Sequence, residues 1–145
     1  MNFENLEVWK RSAQLSAELY VYFKDLTDFG FKDQITRSGL SVPSNIAEGM
    51  ARSSQQERKR FINIAQGSIA ELKTQIWIGM KIEYIEKDKG KYFVNEASEI
   101  AAMLGGLHRT LSTDGCPLTA SQKKTARRRF LSDLCTKQHE GFFLI

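Results

Sequence analysis

Residues 40–50 read LSVPSNIAEGM, and the proline inside this stretch decides how the chain folds. Apolar residues recur at helical spacing on both sides of Pro43, from Ile35 to Ile46. A proline inside a helix costs ~3 kcal/mol and presses on the carbonyl four residues earlier, which here belongs to Gly39. Because a glycine leaves the backbone room to bend, the pattern predicts one bent helix, or two short helices with little between them.

The alternative is a loop that presents Ser44, Asn45 and Glu48 for catalysis. A serine nucleophile needs a base within hydrogen-bond reach and a third group that orients this base. The two histidines of the chain, His108 and His139, are both remote from this stretch in sequence. We therefore expect a structural role for the stretch and no enzymatic activity.

Three further segments, residues 6–26, 61–80 and 93–111, have apolar residues at helical spacing. The first segment carries two apolar stripes, and the second stripe favours a central position or a partner subunit. The third helix is expected to begin at a capping box, in which Ser54 and Glu57 each bond a backbone NH of the other. Residues 87–90 are expected to form the turn before the last helix.

The sequence thus predicts an all-α protein, an up-and-down antiparallel four-helix bundle over residues 1–112 with a kinked second helix. Gly67, amid other small residues of the third helix, is predicted to mark tight packing against another helix. Trp9 and Trp77 occupy apolar stripes and are predicted to lie in the core or in an interface.

Charge is concentrated after the predicted bundle. Residues 1–112 hold 15 Lys+Arg and 14 Asp+Glu, whereas residues 113–145 hold 6 and 3, so the tail carries +3 of the net +4. This basic C-terminal extension is predicted to be a short amphipathic helix or a disordered arm. Its two cysteines, Cys116 and Cys135, fit neither a disulfide framework nor a zinc site, and we expect free thiols.

The sequence also limits the location and cofactors of the protein. No apolar run is long enough to span a membrane, and the opening MNFENLEVWK lacks the features of a signal peptide. We therefore expect a cytoplasmic protein without a membrane partner. The Glu-x-x-His spacing of a di-metal bundle is absent, so no metal or other cofactor is expected.

Three stretches together resemble a known family. They are FENLEVWKRSAQL at 3–15, SVPSNIAEGMARSS at 41–54 and FINIAQGSIAELKTQIWIG at 61–79. They resemble the four-helix-bundle proteins encoded in intervening sequences of bacterial large-subunit ribosomal RNA genes, in order and with matching gaps. The resemblance covers about residues 3–112 and does not extend over the tail.

This resemblance implies an up-and-down bundle that assembles as a homopentamer and has no established enzymatic activity. The family is also similar, more distantly, to the accessory protein of diversity-generating retroelements, which binds nucleic acid and a reverse transcriptase. The partners implied are other copies of the chain, RNA or DNA, and a reverse transcriptase or another protein.

Candidate nucleic-acid-binding residues cluster before and within the third helix. Arg52, Arg58, Lys59 and Arg60 are opposed in sequence by Glu57 alone. Cations at a helix N-terminus interact unfavourably with the helix dipole. Such unfavourable local arrangements are typical of functional sites, and a phosphate would bind both the cations and the free NH groups of the helix start.

Further candidates lie on two helices. Lys59, Gln66 and Lys73 recur every seven residues along the third helix, and Lys10 and Arg11 lie on the first. Two functions remain open: an oligomer that binds the nucleic-acid backbone, or a protein-interaction module whose lysines are only its solvated face. No aromatic platform for bases lies among Arg52, Arg58, Lys59 and Arg60, so we expect contact with the backbone rather than sequence readout there.

Overall fold

The computed structural model describes residues 2–113, and its regular elements there are all helices. A short 3₁₀ helix, Phe3–Asn5, precedes four α-helices. These are α1 (Glu7–Tyr22), α2 (Phe29–Ala51), α3 (Gln55–Lys81) and α4 (Lys87–Thr113). The predicted all-α, four-helix fold is confirmed, whereas the prediction for residues 114–145 lies outside the described part of the chain.

Contacts along the helix pairs run in opposite directions, as an antiparallel bundle requires. Between α1 and α4, Arg11 bonds Glu96, while Glu18, two turns later, meets Lys89. Between α2 and α3, Ser38 bonds Gln75 and Ser41 bonds Ser68 at 2.8 Å, so the partner number falls as the residue number rises. Short connections between the helices enforce this order.

The core is a single cluster to which all four helices contribute. Its fully enclosed side chains include Leu19 and Phe23 of α1 and its end, Ile46 of α2, Leu72 of α3 and Phe93 of α4. The helical spacing predicted for the apolar residues of 93–111 is confirmed, and these residues form the seam by which α4 faces the core. Leu107 is partly buried, and the other members of the seam are buried. These are Phe93, Ala97, Ile100, Leu104 and Leu111.

Helix α2 runs without interruption through Pro43. Ser44 Oγ donates to the Leu40 carbonyl at 2.8 Å, which agrees with the structural role expected for this stretch. Gly39 has a further role that the sequence did not reveal. A Cβ there would lie 2.8 Å from Leu19 Cδ1, so glycine allows α1 to approach.

Two predicted boundaries need correction. Ser54 is the residue before α3, but its side chain makes no capping bond, so the capping box is wrong although the start is right. Residues 87–90 form the first turn of α4 rather than a loop, and the reversal lies earlier, around Glu83 with its φ of 62°. Glycine is needed at position 90 because an added Cβ would overlap Met80 Sδ.

Candidate nucleic-acid interface

The turn between α2 and α3 brings four candidate cations to one end of the bundle. Gly49 lets the two helices meet closely, since a Cβ there would lie 2.8 Å from Phe61 Cβ. Across the turn, Arg58 Nε donates a hydrogen bond to the Arg52 carbonyl at 2.6 Å. Arg52, Arg58, Lys59 and Arg60, named here the basic turn, are therefore held together by backbone geometry rather than by sequence proximity alone.

Phe61 orders two of these cations. The guanidinium carbon of Arg52 lies 5.1 Å from the centre of its ring, and that of Arg60 lies 5.9 Å away. Contacts of this kind contribute about 0.5–1 kcal/mol at exposed sites. Phe61 was not among the candidates predicted from sequence, although its position directly after the cations was an available signal.

Two carboxylates partly offset the basic turn. Glu48 pairs with Arg52 at 2.6 Å, and Glu57 pairs with Arg60 at 3.5 Å. Only Glu57 was predicted from sequence to oppose the cations, because Glu48 becomes a neighbour of Arg52 only when α2 continues to Ala51. Four cations against two carboxylates leave a net charge of +2, and the side chains of both pairs are well exposed.

The candidate stripe on α3 lies along one side of the helix. Counted at about 100° per residue, Lys59, Gln66 and Lys73 lie within about 40° of one another around the helix axis. In residues 2–113, neither Lys59 nor Lys73 forms an ion pair with an acidic side chain. Their charges are therefore available to a ligand.

Lys10 and Arg11 on α1 lie in a different environment. Arg11 donates two hydrogen bonds of 2.7 Å to the carboxylate of Glu96 and a further bond to Glu99. These bonds raise the pKa of Arg11 and lower the pKa of Glu96. Lys10 lines the same shallow hollow as the carboxylates of Glu7 and Glu96, so α1 presents compensated charge there.

Trp77 was predicted to lie in the core or in an interface, and the first of these two placements is wrong. It does not lie in the core of the bundle, because 54% of the residue is exposed. It lies on the side of α3 that carries Lys73, four residues earlier, and Lys81, four residues later. The sequence already showed this spacing, which places the indole on the same side of the helix as the two lysines. The prediction nevertheless placed Trp77 in the apolar stripe, because the indole is hydrophobic.

The remaining candidates for chemistry have structural partners. Asn45 Nδ2 donates to the Ser41 carbonyl at 2.7 Å, Ser44 bonds Leu40, and Glu48 pairs with Arg52. Residues 2–113 contain no cluster of histidine, cysteine and acidic side chains that could hold a metal ion. No helix in this part of the chain is both long and apolar enough to cross a membrane.

Comparisons with known proteins agree with this architecture. The sequence profile of the 23S rRNA-intervening sequence protein family matches residues 4–106. A crystal structure of a protein with unknown function from the S23 ribosomal protein family of Bacteroides thetaiotaomicron VPI-5482 is similar in fold, with a TM-score of 0.66 and 24% sequence identity. The similarity covers 70% of this chain and 97% of that one. No curated protein matches the chain.

Proposed function

The chain belongs to the 23S rRNA-intervening sequence protein family, and we propose that it is a non-catalytic, self-assembling bundle that binds the phosphate backbone of nucleic acid. The observation that carries this proposal is the basic turn, with its net charge of +2 and its exposed, ordered arginines. Arginine forks suit phosphate oxygens, and contacts to phosphate fix position without reading sequence.

Self-assembly is supported by the apolar side chains that the bundle leaves uncovered. Ile64 and Ile78 of α3, and Ile82 directly after its end, are 41%, 48% and 46% exposed. Exposed apolar groups that share one side of a helix are typical of interaction sites. The family resemblance implies a homopentamer, and five copies of the basic turn on one rim would convert a weak site into a multivalent one.

The same isoleucines favour a second candidate function. An interaction module could use them to bind further copies and a protein partner, such as a reverse transcriptase, without contacting nucleic acid. The two functions differ in what salt does to binding, because only phosphate contacts release counterions from nucleic acid.

Salt-dependent binding of single-stranded RNA tests the proposal. The full chain, with Arg127, Arg128 and Arg129 changed to glutamine so that the tail cannot imitate the effect, is compared with the same protein carrying R52Q, R58Q, K59Q and R60Q. The log–log slope against salt should flatten by about 0.7 for each phosphate that the substituted side chains no longer bind. A control variant, K24Q with R37Q, removes two exposed cations elsewhere and should leave the slope unchanged.

Native mass measured in the same buffer shows whether a change in the slope comes from loss of the assembly rather than from loss of phosphate contacts. The four substitutions lie outside the core, so the mass of the assembly should not change. An unchanged slope would show that the basic turn is only a solvated surface, and the interaction-module function would then take precedence.

A further inference from the structure

One side of α3 places an exposed indole in line with uncompensated lysines. Counted at about 100° per residue, Lys59, Gln66, Lys73 and Lys81 all lie within about 40° of Trp77 around the helix axis. The nearest acidic residues on α3, Glu57 and Glu71, lie about 120° or more from Trp77. We name this surface, from Lys59 to Lys81, the lysine side of α3.

Trp77 stands at a groove rather than on a flat surface. It lines a groove of about 510 Å³ together with Met80 and Ile85, whose walls also carry Lys81, Lys87 and Lys91. Glu83 and Glu86 lie on the same rim, so three lysines face two carboxylates there. A second hollow continues from Trp77 along α3 past Lys73 to Gln66. The indole therefore has free space on the side where the cations are.

The isoleucines described above do not share this surface. Ile64, Ile78 and Ile82 lie about 100–140° around α3 from Trp77. The uncovered apolar groups of α3 thus fall into two separate sets. A partner subunit on the isoleucines leaves the lysine side accessible. Its lysines repeat along the helix with no acidic residue between them on that side, which fits an anionic polymer better than a second copy of a basic surface.

We propose that the lysine side of α3 binds single-stranded nucleic acid, with an unpaired base stacked on the indole of Trp77 and the flanking phosphates contacted by Lys73 and Lys81. This deepens the proposed function and rests on it. Proteins that bind single strands combine a positively charged groove with an aromatic side chain on which bases stack. The lysine side of α3 adjoins the basic turn, because Lys59 belongs to both.

The indole should distinguish single strands from duplexes. Stacking on a side chain needs a base that is free of its own stack, whereas phosphate contacts at the basic turn are open to both forms. Removal of the indole should therefore weaken single-strand binding selectively. Removal of the basic turn should weaken the binding of both forms.

The first measurement follows the fluorescence of Trp77 itself. The chain has two tryptophans, so the full-length W9F variant leaves Trp77 as the only reporter. An oligothymidylate should quench its emission in a saturable way that salt reverses, and a duplex of the same length should not. Equal quenching by both forms, or none by either, would overturn the proposal.

The second measurement needs no reporter and uses a matched pair of variants. W77A should lower the affinity for the oligothymidylate about 10-fold, while W77F should retain most of it. Affinity for the duplex should change less than about 2-fold in both variants. An exposed aliphatic residue of α1 supplies the control, since V21A changes a residue that is 67% exposed and should leave single-strand affinity unchanged.

Two alternative results are recognisable. A lower native mass of W77A, with single-strand affinity unchanged, would show that a second copy covers Trp77 and would overturn the proposal. If the unmodified protein bound no nucleic acid at all, the proposed function itself would fail. If the four substitutions in the basic turn flattened the salt slope, but neither the fluorescence of Trp77 nor the affinity of W77A changed, only the proposed stacking on Trp77 would fail.

Discussion

The two exposed sides of α3 differ in what they offer to the surroundings. One side carries Ile64, Ile78 and Ile82, each between 41% and 48% exposed. The other carries the lysines and Trp77. Burial in a four-helix bundle requires only one apolar face of each helix, and α3 already supplies that face through residues such as Ile62, Leu72 and Ile76. The fold therefore requires neither the exposed isoleucines nor the exposed tryptophan and lysines of α3.

Hydrophobicity alone therefore does not assign a side chain to a role. Trp77 and Ile78 are neighbours in sequence and similarly exposed, at 54% and 48%. Their surroundings differ, because Trp77 has lysines four residues away in both directions, whereas Ile78 has the uncharged Thr74 and Ile82 at the same spacing. The function of each side follows from the charges beside the apolar group.

The largest expected effect comes from placing charge on the isoleucine side. The I64K and I78K double variant should dissociate the assembly to a monomer of 16.5 kDa, because a lysine in an apolar interface leaves a buried charge without a partner. Light scattering at micromolar concentration measures the mass. W77A is the control and should leave the mass unchanged. A monomeric parent protein would contradict the prediction of self-assembly directly.

The next effect concerns the packing that shapes the lysine side. G90A should destabilise the protein by about 1–3 kcal/mol, because a Cβ at Gly90 would overlap Met80, which lines the groove beside Trp77. Urea denaturation measures the change in stability. No change in the midpoint would show that Met80 moves aside without cost.

Gly67 provides the opposite case on the same helix. No atom would lie within 4 Å of a Cβ there, so the predicted tight packing does not occur within the bundle. G67A should stabilise the bundle by about 0.5–1 kcal/mol, since alanine favours the helix more than glycine does. Denaturation and native mass are measured together. A decrease in mass would show that Gly67 lies against another subunit.

The smallest change in stability is expected at Arg11 of α1, which is paired with Glu96, unlike the lysines on the lysine side of α3. Arg11 lowers the pKa of Glu96 below its ordinary 4.5, so this pair stabilises the fold above that pH and the contribution disappears as the pH falls through the lowered pKa. E96Q should cost about 0.5 kcal/mol at neutral pH, because Arg11 keeps its bond to Glu99, and should make the protein less sensitive to acid.

A matched substitution controls for charge. D33N removes a carboxylate whose ion pair with Arg37 is largely exposed, at 72% and 58% of the side chains, so its stability should not change. Thermal melting between neutral and acidic pH measures both variants. Equal acid sensitivity of E96Q and the parent protein would contradict the role of the pair.

Much of the fold was predictable because helical periodicity records which residues face the core. The seam from Phe93 to Leu111 is confirmed. Of the two forms predicted around Pro43, one helix or two short ones, the structure has the single helix. The start of α4 at Lys87 was not predicted, because the composition of residues 87–90 is typical of a turn. Only packing against Met80 shows that Gly90 serves close approach rather than chain reversal.

The candidate site was predictable in part. The basic turn could be named from sequence because four cations are crowded around one helix start. Phe61 directly follows the cations, so its role as their support left a signal in the sequence. Glu48 as a counterion depends on α2 continuing to Ala51, and the compensation of Arg11 depends on Glu96, which only folding brings close.

The four helices, their order and most of the residues that fill the core follow from the sequence alone, because apolar spacing and short connections are local properties of the chain. Which polar and aromatic groups remain available is set by the folded bundle. Arg11 is held by Glu96, a residue 85 positions away, while Trp77 lies outside the core beside lysines that have no acidic partner among residues 2–113. Availability depends on long-range neighbours, and no local pattern records them.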